Sequence, residues 1–328
     1  MLNLDSEEVQ FAITAVRQAT MLVKEIQAEL VSPALTKDDR SPVTVADFAS
    51  QTLVGYLLSN TFLSDVMIAE EDSTALASSE HVLDQVTGFI QRHIKQATPD
   101  LVRKWIDFGR TDSANRFWTL DPIDGTKGFL RGDQYAIALA LVEDGQVQLG
   151  VLGCPNLSDG WKPDFEGEGS LVIAVRDHGT WTMPVTRQAE PMRLQVSSQK
   201  LSSQARLLRS FESGHTNVSQ IDIFADALGI EAEPVRMDSQ AKYAVLASGK
   251  GEILLRLLSP SKPDYKEKIW DQAAGSLVLE EAGGKISDLD GKPLNFATGR
   301  SLTQNRGILA SNSLLHPAAL QALHQIGA

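Results

Sequence analysis

Residues 121–129 read Asp-Pro-Ile-Asp-Gly-Thr-Lys-Gly-Phe, with two carboxylates three residues apart and a Gly-Thr step of the kind that opens a helix. Pro122 has no N–H to give a sheet ladder, so it marks the point where a strand leaves its sheet. The turn it begins can expose the Ile123 carbonyl. Asp121, Ile123 and Asp124 then offer oxygens to cations, and hard oxygen ligands favour Mg²⁺. Gly125 permits a close backbone approach, and the amides that follow Thr126 form a helix N-terminus, which suits an anion. The stretch can hold metal and phosphate side by side.

Three other places carry an acid at the end of a strand or the start of a helix: Thr44-Val45-Ala46-Asp47, Ala69-Glu70-Glu71-Asp72 and Trp270-Asp271-Gln272-Ala273-Ala274-Gly275. Each has an ordinary reading when taken alone. Asp271 is a helix N-cap, Asp47 a first-turn acid complementing the helix dipole, and Glu70–Asp72 a solvated charge run. The four together point to a site.

The elements that must position these acids follow from periodicity. Residues 7–31 space Val9, Ile13, Val16, Val23, Ile26 and Leu30 as one face of a long amphipathic helix. Thr44 is the expected N-cap of a second helix through about Leu58. Val66–Ala69 reads as a buried strand, and residues 73–116 as an irregular excursion or flap containing a weak helix. Phe117–Leu120 is a strand running into the opening motif. YAIALALV and QVQLGVLG flank Asp144-Gly145, a two-residue hairpin turn. Beyond MPVTRQAEPM, strands and helices alternate, and a helix after Asp271 ends at Gly283-Gly284.

A chain of 328 residues holds two domains or one large layered domain. Its formal charge of −12 argues against nucleic acid or an anionic membrane as partner, and no apolar run approaches the ~20 residues a bilayer requires. The acidic N-terminus has no basic leader region. Cys154, the one cysteine, is expected as a buried structural thiol and fits a reducing cytoplasm.

The order VTVAD, AEED, DPIDGT, WDQAAG resembles the inositol-monophosphatase superfamily of Mg²⁺-dependent, lithium-sensitive phosphomonoesterases. KDDRSPVTVAD, FWTLDPIDGTKGFLRGDQYAIALAL, VQLGVLGCPNL, DSQAKY and YKEKIWDQAAG are most similar to its 3′(2′),5′-bisphosphate nucleotidase branch. TKGFLRG is typical of that branch, where inositol monophosphatases usually continue TTNF. The similarity is weakest over 73–116 and 155–235.

The resemblance implies an α/β fold, a layered α-β-α-β-α sandwich with an α+β half over 1–188 and an α/β half over 189–328. It implies Glu70, Asp121, the Ile123 carbonyl, Asp124 and Asp271 as metal ligands, with Glu71 a second choice to Glu70. Asp47 and Thr126 are the implied pair that orients and deprotonates water. His215, Ser239, Lys242 and Arg256 are the implied nucleotide grips, alongside Gly125 and Thr126. Arg131 and Lys127 are basic and near the motif, and pairing with acids explains them equally well. The implied reaction is hydrolysis of the 3′-phosphate of adenosine 3′,5′-bisphosphate to AMP and phosphate, with 3′-phosphoadenylyl sulfate as a second substrate. Roughly two or three Mg²⁺ would offset five acidic side chains. The implied protein is a cytoplasmic monomer. Alternatives are an inositol polyphosphate phosphatase of the same fold and a catalytically silent bisphosphate-nucleotide sensor.

Overall fold

The computed structural model describes residues 5–31, 41–211, 218–259 and 261–328. Helix α1 (Glu7–Leu30) buries Val9, Ile13, Val16, Val23 and Ile26, the face that the spacing marks out. Helix α2 (Ser41–Thr61) begins earlier than expected, so Thr44 lies inside it and is not its cap.

Strand β1 (Val66–Ala69) leads into a short 3₁₀ turn at Ser73–Ser78, then α3 (Glu80–His93) and α4 (Pro99–Asp107). This region is helical where the sequence reading expected an irregular flap. Helix α3 buries Leu83, Val86, Phe89 and Ile90 at helical spacing. Thr98 caps α4 by accepting the Leu101 N–H at 3.3 Å, with Pro99 next to it in the first turn.

Strand β2 (Arg116–Asp124), helix α5 (Thr126–Arg131), and strands β3 (Ala136–Glu143) and β4 (Gln146–Cys154) follow. The β3–β4 hairpin turns at Asp144 and Gly145 with φ of 48° and 77°. Two positive φ angles are what a type I′ turn demands. After a small ribbon of β5 (Leu157–Ser158) and β6 (Lys162–Pro163), strands β7 (Ser170–Val175), β8 (Gly179–Pro184) and β9 (Met192–Leu194) complete a seven-stranded sheet in the order β1-β2-β3-β4-β7-β8-β9.

The rest of the chain is β10 (Leu207–Arg209), α6 (Val218–Leu228), β11 (Val235–Arg236), α7 (Ala241–Ala247), β12 (Ile253–Arg256), α8 (Ala273–Glu281), β13 (Lys285–Ser287), β14 (Ile308–Ser311) and α9 (His316–Gln325). Its strands form a sheet ordered β11-β10-β12-β14-β13, parallel across β11-β10-β12 and antiparallel beyond.

Three apolar cores fix the layering. Strand β3 alternates, sending Ile137, Leu139 and Leu141 towards α1 and α2. Its Ala136, Ala138 and Ala140 join the core made with α7 and α8. That core also holds Leu254, Ile308 and Ala310 of the second sheet, whose other face packs Leu207, Ile253 and Leu309 against α6 and α9. The result is the expected α-β-α-β-α sandwich. Small residues let the central layer sit close: a Cβ on Gly150 of β4 would stand 2.8 Å from the Ala274 carbonyl oxygen of α8. Cys154 is buried and free, and burial pushes its thiol up to about 12. Among the described residues no helix is long and apolar enough to cross a membrane.

Candidate active site

A cavity of about 330 Å³ is lined by the acidic residues Glu70, Asp121, Asp124 and Asp271, by Ile123, Gly125, Thr126 and Lys127, and by Ser239, Lys242 and Arg256. His215 lies outside the described residues.

The acid wall comes from element ends. Strand β2 does not stop at Pro122; it continues to Asp124 through a register shift, with Asp121 opposite Ala138 and Asp124 opposite Ala136. The bulge absorbs the proline without interrupting the sheet, which is why the expected strand end is displaced. Ser50 Oγ donates to the Pro122 carbonyl at 3.1 Å and ties α2 to this bulge. Gln51 clamps the next corner: its Nε2 donates to the Glu71 carbonyl at 2.6 Å, and its Oε1 accepts the Glu71 N–H at 3.0 Å. Asp72 ends the acidic run by accepting the Thr74 N–H at 2.9 Å, so one acid of the three is a cap. Asp271 is not. The N-cap of α8 is Gln272, which leaves the Asp271 carboxylate turned to the cavity.

Burial pushes Asp47, Asp121 and Asp271 well above the usual carboxylate range, with neighbouring acids adding to it: Glu71 and Glu70 act on Asp47, and Glu70, Asp124 and Asp271 on Asp121. Burial also raises Glu70 and Asp124, and carries Glu71 to about 7. Lys242 and Arg256 work against the shift at Asp124. Asp47 is buried on α2 behind Glu70 and Glu71, whereas Thr126 is exposed at the cavity edge.

The same cavity has a basic set. Lys242 Nζ donates to Ser210 Oγ at 2.7 Å, and burial, then the Arg256 charge, lower its ammonium to about 8. Arg256 Nε lies 2.9 Å from Glu267 Oε2, and its Nη2 lies 3.9 Å from Asp271 Oδ2. Ser239 adopts φ 66°, and a Cβ on Gly125, itself at φ 92°, would stand 2.8 Å from the Ser239 Cβ. The close approach that Gly125 allows is therefore between two chain segments. Arg131 forms an ion pair with Asp238, next to Ser239.

Two organising residues escaped the sequence reading. Gln240 is buried and joins three motifs: its N–H donates to Asp124 Oδ2 at 2.6 Å, its Nε2 to the Trp270 carbonyl at 2.9 Å, and its Oε1 accepts the Gly275 N–H at 3.1 Å. It sits inside DSQAKY, so position flagged the segment while the role stayed hidden. Arg300 donates from Nη2 to the Ala69 carbonyl at 2.5 Å and lies 4.7 Å over the Trp270 ring, joining the segments that carry Glu70 and Asp271. No local signal marks it.

The donor set fits a hard divalent cation in chemistry. Six carboxyls, Asp47, Glu70, Glu71, Asp121, Asp124 and Asp271, have raised proton affinity, and Asp47 Oδ1 and Asp121 Oδ1 are buried without a hydrogen-bond partner among the described residues. Such groups need an uncompensated positive charge nearby to ionise. Glu70, Asp121, Asp124 and Asp271 line the cavity without converging: among the described residues no three His, Cys, Asp or Glu side chains already form a closed ligand set.

A five-layer α/β sandwich with acidic and basic residues sharing one cavity defines a phosphate-ester-handling class. The profile of the Inositol monophosphatase family matches residues 4–328, and the chain belongs to that family. The 3′(2′),5′-bisphosphate nucleotidase of Schizosaccharomyces pombe is 39% identical, covering 98% of this chain and 96% of the relative. That of Oryza sativa is 41% identical, covering 98% and 94%. Among solved structures, an IMPase from Thermotoga maritima superposes with a TM-score of 0.65 at 19% identity, covering 98% of both chains, and shares the fold.

Proposed function

We propose that the protein is a Mg²⁺-dependent phosphomonoesterase that removes the 3′-phosphate, or a 2′-phosphate, of adenosine 3′,5′-bisphosphate, giving AMP and phosphate. The same site would take 3′-phosphoadenylyl sulfate. The observation that carries this reading is one cavity lined by both an acidic set and the basic Lys242 and Arg256. A ligand with one phosphate at the carboxylates and a second at Lys242 and Arg256 spans both. The nucleotidase names of relatives alike over nearly the whole chain support the same choice.

In this reading residues 1–188 supply Asp47, Glu70, Asp121, Asp124 and Thr126, and residues 189–328 supply Asp271 and the nucleotide grips. Glu70, Asp121, the Ile123 carbonyl, Asp124 and Asp271 would hold the cations. Bound Mg²⁺ supplies Lewis acidity at the phosphoryl oxygens and a lowered water pKa. Asp47 accepts the proton of the attacking water through the Thr126 hydroxyl, and burial makes its carboxylate a stronger base than an exposed one. Lys242 and Arg256 hold the phosphate that is not cleaved, the guanidinium as a fork of donors.

The test is phosphate release in Mg²⁺ from adenosine 3′,5′-bisphosphate, AMP and inositol 1,4-bisphosphate at matched concentration, with EDTA as control. Release from the nucleotide bisphosphate above both others is expected. Preference for the inositol ester, or tight nucleotide binding without turnover, would overturn the reading.

A further inference from the structure

Behind the basic wall, a chain of buried polar contacts has no part in the chemistry above. Tyr243 OH donates to Gln272 Oε1 at 2.6 Å, and Gln272 Nε2 donates to Glu267 Oε2 at 3.0 Å. The same carboxylate oxygen lies 2.9 Å from Arg256 Nε. Tyr243, Gln272 and Glu267 are all buried, whereas Arg256 lines the cavity. The chain visits each segment of that wall. Tyr243 follows Lys242 on α7, Gln272 follows Asp271, and Arg256 ends β12.

A buried carboxylate beside a guanidinium is costly unless its oxygens are also hydrogen-bonded. Gln272 supplies that donor, and Tyr243 fixes the amide so that it presents its NH₂ to Glu267. The carboxylate is thus held in place. The ion pair with Glu267 fixes where the guanidinium sits, while its Nε N–H has no hydrogen-bond partner among the described residues. Charge acts in the same direction. Lys242 and Arg256 are neighbours of like sign, and Glu267 offsets the repulsion between them before any ligand arrives.

We infer that Glu267, braced by Gln272 and Tyr243, is the positioning residue that aims Arg256 at the uncleaved phosphate and so sets the preference for bisphosphates over monophosphates. The inference rests on the reading under Proposed function and deepens it. Glu267 does not touch substrate; it acts through Arg256.

The experiment compares kcat and KM for adenosine 3′,5′-bisphosphate and adenosine 3′-monophosphate in the full-length protein with Mg²⁺. Glu267→Ala is expected to raise KM for the bisphosphate at least about tenfold while kcat and the monophosphate KM each move less than about threefold. Glu267→Asp, which keeps the carboxylate charge beside Arg256, should recover part of the loss. In an Arg256→Ala background, Glu267→Ala should add less than about twofold, because the two act as a unit. Tyr243→Phe, a milder change that tests the relay if Glu267→Ala folds poorly, should shift the bisphosphate KM in the same direction by about threefold. Equal losses on both substrates, or full additivity with Arg256→Ala, would overturn the inference. Wild-type protein that shows no preference for the bisphosphate would instead overturn the underlying reading, and the inference with it.

Discussion

The two walls of the cavity solve the problem of buried charge in opposite ways. On the basic wall each cation arrives with partners from the chain: Lys242 with Ser210, and Arg256 with Glu267, itself held by Gln272. On the acid wall, Asp121 has a buried oxygen with no partner, and its neighbours are other acids. One set has charge partners from the chain; the other gathers acids whose proton affinity burial and one another raise. Under the proposed function, the first set would grip substrate and the second would recruit the metal.

The largest break in this contrast should come from the acid wall. Asp121→Asn or Asp271→Asn is expected to lower Mg²⁺-dependent phosphate release at least about 10³-fold, measured as kcat/KM, because each removes an anionic oxygen that no neighbour replaces. Full activity in either would sink the metal assignment. Next in size is the basic wall. Arg256→Met should raise KM for the bisphosphate about ten- to a hundredfold, the loss of one charged hydrogen-bonding group.

Titration separates the walls further. Lys242 is charged below about pH 8 and neutral above it. KM should therefore climb as pH rises through 8, and Lys242→Arg should flatten that climb. A KM independent of pH between 7 and 9 would contradict the assignment. The carboxyls give the opposite kind of dependence, in stability. Their folded-state affinity for protons is raised, so the stabilisation they contribute is complete below about pH 4 and is lost as pH rises through their folded values, which reach about 7 at Glu71. Metal-free protein should lose Tm as pH climbs, and Mg²⁺ should raise Tm by more at pH 8 than at pH 5. The smallest effect concerns the junction between the walls. Gln240→Ala leaves the Gly275 N–H and Trp270 carbonyl unpaired and should cost about 2–3 kcal/mol in urea unfolding.

The contrast also explains what could be read in advance. Acid-wall residues sit at element ends whose local sequence is distinctive, such as a proline between two aspartates, and they could be named before any coordinates. Basic-wall organisation is tertiary. Glu267 and Gln272 carry no local signal, since their roles depend on β12 and α7 arriving beside them. The hairpin at Asp144-Gly145 was legible because backbone sterics dictate it. Helices α3 and α4 were not, because the Ser- and Ala-rich lead-in weakened the pattern and Thr98-Pro99 was passed over as a start signal. Pro122 misled for a physical reason: a bulge can house a proline that a regular ladder cannot.

The seat of α8 has a mechanical consequence. The helix that follows Asp271 comes late in the chain, yet it lies against β4 at Gly150 and is pinned by Thr180 Oγ1 to the Val278 carbonyl at 2.7 Å and by Glu281 to the Gly179 N–H at 2.8 Å. These are strands of the first sheet. A scissor-like opening of the two sheets would have to tear this helix from its bed, so the helix works as a latch that holds them together.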